Sequence, residues 1–284
     1  MEQLQKLVDD FAREAKQPIF LIDRSLTEAF DNDDQGLITY IMRTVGYTGT
    51  KLEDKALRTH FFNFIISTQT HNYGASPDNY NGYRMFGYHE EENIPPLSRL
   101  LKKTVYTKLD ENNLFDATDE DWRDFNLYHE LFHFLDETVS TEGPDDDAQE
   151  HYHEFFADFA ACLYMASKGK NMFLNVAKIR AIDMHAKGLE GTFGMHATGY
   201  ANHHIYGIFR KEKIDTDNLS IADIVDITKD MARKYAFDNN QLKNLYNYME
   251  RLTPDNSKNR LKRIRENNPT NNFIKFKKRT AFNK

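Results

Sequence analysis

Between Asp119 and Leu135, the side chains of Trp122, Phe125, Leu127, Leu131, Phe132, Phe134 and Leu135 project from almost every side of a helix, which leaves little surface for water. Such a helix has to lie inside the fold, with other elements packed around it. Thr118 and Asp121 mark its start as a capping box, in which each side chain serves the other residue's backbone N–H. The same helix nevertheless carries His129, Glu130 and His133. Polar groups in a buried helix need partners there. Histidines four residues apart share one side of a helix, close enough to grip one cation between them.

The rest of the chain reads as material to surround that helix. Helical periodicity covers Glu2–Lys16, Asp34–Val45, Lys51–Ile66, Ser98–Lys103, Asp119–Thr138, Asp146–Ser167, Ala197–Lys211, Ile221–Tyr235 and Asn239–Leu252. Strand-like alternation is confined to Ile19–Ile22 and Thr104–Leu109. The stretch Gln69–Pro96, rich in Asn, Gly, Tyr and Pro, reads as a long loop or an irregular hairpin. Together these patterns predict a mainly α fold with a small β-sheet, an α+β class. The turn Pro254–Ser257 sets off a C-terminal tail, 254–284, from one domain over 1–253. Within that domain, 1–117 holds N-terminal helices and the small sheet, and 118–253 the helical part that carries the histidines.

Charge narrows the partners. The net charge of -7 is unevenly spread: from Lys258 onward there are ten Lys or Arg and a single acid, Glu266. The body is therefore strongly acidic, which argues against a general nucleic-acid binder. The basic tail is expected to pack against that body, and nucleic acid could be touched only through it. No stretch approaches the roughly 18 apolar residues of a membrane span, and the opening MEQLQKLVDDFAREAK lacks the layout of a signal peptide, so the cytoplasm is the expected compartment. The one cysteine, Cys162, can form no disulfide within the chain and reads as a buried, inert thiol.

Eight of the eleven histidines lie between His129 and His204, which concentrates any imidazole chemistry there. Zinc suits neutral imidazole ligands, and a water bound to it beside Glu130 would become a nucleophile. A third ligand is expected from the segment His151–Asp158. Glu154 is favoured, because Asp158 lies one helical turn further on the same face, where it can receive the free ring N–H of a ligand histidine. His153 is the second choice; otherwise His151 and His153 read as solvated residues at the start of an acidic helix.

His129-Glu130-Leu131-Phe132-His133, followed 21 residues later by Glu154 and four beyond it by Asp158, resembles the active site of gluzincin zinc metallopeptidases of the thermolysin-like kind. The resemblance implies a zincin-like fold and one zinc per chain held by His129, His133 and Glu154. It further implies endopeptidase-type hydrolysis of peptide bonds with Glu130 as general base. Gly194–Asn202 is similar to the later segment of that family, in which a histidine before a Gly-x-x-Asn helix start stabilises the oxyanion; here that residue is His196. One residue fewer separates His196 from Gly199 than in the family, and the interval from the third ligand is shorter. Glu154–Ala157 and His133–Asp136 also look like lethal-factor and Mlc-titration-factor peptidases, although Asp147 stands where lethal-factor-like enzymes carry a tyrosine. Ala157-Asp158 with Ala160-Ala161 is similar to the ImmA/IrrE regulators. These likenesses span roughly Asp119–Arg210.

The residues themselves support a role for His196, since Gly194 and Gly199 bracket it in a turn from which it can project into a cleft. His203 and His204 open the next helix and read as ordinary helix residues, while Tyr200 and Tyr206 are further hydroxyl donors. Thr104–Leu109 could bind peptide backbone as a sheet edge, and the acidic loop Glu137–Glu150 could favour basic substrates. The expectation is a zinc metallopeptidase acting on a peptide or protein. The alternatives are an ImmA/IrrE-like protein acting on one partner such as a repressor, and a zinc-binding domain without turnover.

Overall fold

A computed structural model describes residues 2–30, 33–47, 51–70, 75–80, 83–88, 115–136, 147–190 and 198–252. In chain order these form α1 (Glu2–Glu14), β1 (Ile19–Asp23), α2 (Arg24–Ala29), α3 (Asp34–Thr44), α4 (Lys51–Thr70), β2 (Ala75–Tyr80), β3 (Tyr83–Tyr88) and α5 (Asp119–Phe132). A 3₁₀ turn over His133–Leu135 follows, then α6 (Asp147–Ser167), α7 (Phe173–Glu190), a 3₁₀ segment Thr198–His204, α8 (Ile205–Glu212), α9 (Ile221–Tyr235) and α10 (Asn239–Leu252). The described chain is thus mainly α with a small β-sheet. No helix among the described residues is long and apolar enough to cross a membrane.

The sheet has the order β1-β3-β2, with β1 parallel and β2 antiparallel to the central β3. Period-2 alternation divides its apolar side chains between two cores. Ile19, Leu21, Phe86 and Tyr88 join the larger core built by α1, α5, α6, α7, α8 and α9. Phe20, Ile22, Tyr83 and Met85 join a smaller one with α3 and α4. The Gln69–Pro96 stretch therefore contains a regular hairpin, β2 to β3. Its signal was the dipeptide Asn81-Gly82 between two six-residue strands, the preferred two-residue hairpin turn.

Helix α5 lies where its composition demands. Trp122, Phe125, Leu131 and Phe132 are buried, and the capping box of Thr118 and Asp121 closes reciprocally. Lys170, in the turn between α6 and α7, sits 3.1 Å from Asp121 and 3.2 Å from Asp124 and ties that turn to the start of α5. Instead of running as α-helix to Thr138, α5 tightens to 3₁₀ at His133 and leaves helical geometry at Asp136, whose backbone is extended. Ala197–Lys211 is likewise split, a 3₁₀ segment preceding α8. Helix α7 occupies a stretch to which the periodicity reading assigns no element, and α2 is also additional. Cys162 is fully buried, and burial pushes its thiol up, as befits an inert core residue. Ser98–Lys103, Thr104–Leu109 and the tail 254–284 lie outside the described residues.

Aromatic edges lock α1, α5 and α6 together: Phe11 meets Phe132 at 4.9 Å between ring centroids, and Tyr128 meets Tyr164 at 4.7 Å. Phe132 is fully buried. Phe132→Ala is expected to destabilise the protein by about 3–5 kcal/mol, read as a lowered midpoint in urea unfolding.

Candidate metal centre

The end of α5 and the second turn of α6 bring three side chains to one point. His129 Nε2 and His133 Nε2 lie 3.2 Å apart. Glu154 spans them, with Oε2 3.7 Å from the first nitrogen and Oε1 3.8 Å from the second. Ligand atoms on a tetrahedral zinc at about 2.0–2.1 Å are separated by about 3.3–3.4 Å, so the nitrogen, nitrogen and oxygen donors form a triangle of the right size for one small cation. Glu130 flanks this triangle, its Oε2 4.0 Å from His133 Nε2. His129, Glu130 and His133 also offer ligand atoms within 4.8 Å of one another. Glu154 fits the third position better than Glu130, because it reaches both nitrogens where Glu130 borders one side.

The protonation pattern suits the same purpose. Burial, reinforced by a charged His129, lowers His133 to about 4 and keeps it in the neutral form that binds metals. Burial also opposes charge on His129, but the Asp158 carboxylate beside it overrides this and raises it above the usual imidazole range. A protonated His129 can donate Nε2–H to His133 Nε2, and a cation binding between them displaces that proton. Burial raises Glu130 to about 7, where a carboxylate can both take up and return a proton.

Asp158 is the anchor behind the triangle. It is fully buried, its Oδ1 lies 2.9 Å from His129 Nδ1, and Arg180 of α7 grips it side-on, Nε to Oδ2 at 2.9 Å and Nη2 to Oδ1 at 2.6 Å. Asn202 Nδ2 donates to Oδ2 at 2.7 Å. Burial alone would raise Asp158, yet Arg180 and His129 hold it well below the ordinary carboxylate range. Sequence reasoning placed Asp158 here but missed Arg180 and Asn202. Asn202 was visible only as the last residue of Gly-x-x-Asn. The first residue of that pattern, Gly199, passes so close to Glu154 that a Cβ there would lie 3.2 Å from Oε2.

Two histidines read as solvated are not. His151 is fully buried, its ring 5.3 Å from that of Phe237. His153 directs Nδ1 to the buried Asp136 carboxylate at 2.5 Å. That contact joins the residue just past the His133 turn to the residue just before Glu154, and so holds two of the triangle's corners in register. It also commits one ring nitrogen of the second-choice ligand to a carboxylate. His204 Nδ1 is engaged by the Ala201 carbonyl oxygen at 2.6 Å, its ring stacked on Phe237, and Tyr206 carries Arg210 over its ring. His196, the expected strand Thr104–Leu109 and most of the acidic stretch from Glu137 onward lie outside the described residues.

Comparison with known proteins gives no significant match to a family model, to a curated protein or to a solved structure.

This geometry ranks the ligands. Glu154→Ala is expected to weaken zinc binding far more than His151→Ala, and Asp158→Asn by about 10- to 100-fold through the orientation of His129, each measured by competition with a chelating dye. Gly199→Ala should weaken zinc binding while keeping the Asp158–Arg180 pair, because its methyl group would crowd Glu154 Oε2 at 3.2 Å but meet the Arg180 guanidinium only at an ordinary van der Waals distance of 3.8 Å. Wild-type zinc affinity in Gly199→Ala would show that Glu154 has room to yield.

Proposed function

We propose that this chain is a zinc-dependent peptide hydrolase with a zincin-like arrangement, in which His129, His133 and Glu154 hold one metal ion per chain. The observation that carries this reading is the convergence of two imidazole nitrogens and both Glu154 oxygens within 3.2 to 3.8 Å, with Glu130 alongside. A zinc ion bound there supplies Lewis acidity, toward a water molecule and toward the scissile carbonyl.

The chain's own residues do the remaining work. Glu130 accepts the proton of the attacking water and returns it to the leaving amine, a shuttle suited by its raised pKa. Asp158 and Arg180 hold the His129 ring so that Nε2 faces the centre. The Asp136–His153 contact holds the Glu154 helix against the His133 turn. Following the family resemblance, His196 stabilises the oxyanion. Strand β2 forms one edge of the sheet and packs against α5, which supports a role for that edge in aligning an extended substrate.

Elemental analysis of the purified protein should find close to one zinc per chain. Glu130→Gln should retain the metal and the fold while cleavage of a peptide library falls by orders of magnitude, because the glutamate handles protons and binds no metal. Unchanged turnover in this variant would exclude the mechanism, and absence of bound metal would remove the site.

A further inference from the structure

Arg84 stands at the start of β3, and the sheet's register fixes the face that it occupies. It is paired with Ile19 of β1, and Ile19, Leu21, Phe86 and Tyr88 all belong to the larger core. Alternation places Arg84 with them, on the face that carries α5. Phe86, two residues along the same strand, has its ring 6.2 Å from that of Phe134, which directly follows His133.

On this face the Nε and Nη1 atoms of Arg84 are buried, and neither finds a hydrogen-bond partner among the described residues. Burial lowers its pKa. A guanidinium stays charged in a protein, and each buried donor left unmade carries an uncompensated desolvation cost. Carboxylates dock on either of two guanidinium edges, Nε with Nη2 or Nη1 with Nη2. Each of these edges retains a free buried donor in Arg84. Arg180 shows the contrast: where an arginine of this chain is structural, the chain supplies the carboxylate of Asp158.

We propose that Arg84 binds a carboxylate of the substrate, either a peptide's C-terminus or an acidic side chain, on the sheet face next to the metal centre. Calling that ligand a substrate rests on the hydrolase reading; the carboxylate site itself does not. Apolar neighbours on the same face, Phe86 and Ile19, exclude water and strengthen the ionic contact.

The test uses the full-length, zinc-loaded protein with peptides that the wild type cleaves. Each is compared in its free form, with its C-terminus amidated, and with its acidic side chains converted to amides. One of these changes should raise KM by about 10- to 100-fold in the wild type and leave KM unaltered in Arg84→Gln, and which one it is identifies the source of the carboxylate. Equal penalties in wild type and variant, or none in either, overturn the proposal. If no peptide is cleaved, the hydrolase reading fails by itself. Arg84 is then read by calorimetry with N-acetyl-diglycine and its amide: discrimination by wild type that Arg84→Gln loses supports the carboxylate site, and equal binding overturns it. A fall in thermal stability in Arg84→Gln that Arg84→Lys restores marks a partner within the chain and also overturns it.

Discussion

The buried Asp158 carboxylate is held by partners on three other segments of the chain. An ionised group with no solvent exposure is tolerable only if its charge is matched and its oxygens are filled, and here His129, Arg180 and Asn202 do both. These partners come from α5, α7 and the 3₁₀ segment before α8, while Asp158 itself belongs to α6. One side chain thus fixes four segments relative to one another. Removing Arg180 or His129 leaves the buried charge under-compensated, and removing Asn202 leaves one carboxylate oxygen short of a donor, so the position tolerates little.

The candidate ligand triangle could be read from the sequence because its members obey helical spacing. His129 and His133 are four apart, and so are Glu154 and Asp158, and a helix puts such pairs on one face whatever surrounds them. What joins the two helices is not written locally. Arg180 is 22 residues from Asp158, on a helix that the periodicity reading left unassigned. Its apolar positions Phe173, Val176, Ala177 and Ile179 were there to be read, with Asn171 accepting from the Phe173 N–H at the helix start. His153 and Asp136 are 17 apart, a separation that carries no pattern. The same limit explains His151 and His153: the acidic residues around them suggested solvent, but burial of the first turns of α6 is decided by α9, α10 and Phe237.

The sheet was legible in part for the opposite reason. Ile19–Ile22 is apolar on both faces because two cores flank it, so its identity as a strand followed from composition, whereas the division of labour between faces required the pairing. That division separates the packing of α3 and α4 from the packing of α5 and α6.

Helix α6 shows why a polar cluster belongs in so apolar a place. From Phe155 to Leu163 every residue is fully buried, so the helix has no solvated face in this stretch to set its rotation about its own axis. Apolar contacts constrain that rotation through shape alone and carry no defined direction. Hydrogen bonds do carry one, since the three partners of Asp158 occupy defined directions. Glu154 lies one turn earlier, about 40° around the helix from Asp158 at 3.6 residues per turn. The angle that satisfies Arg180 and Asn202 is therefore the angle that presents Glu154 to the two histidines. The buried carboxylate sets the rotation of the helix, and the rotation sets the third corner of the candidate metal centre.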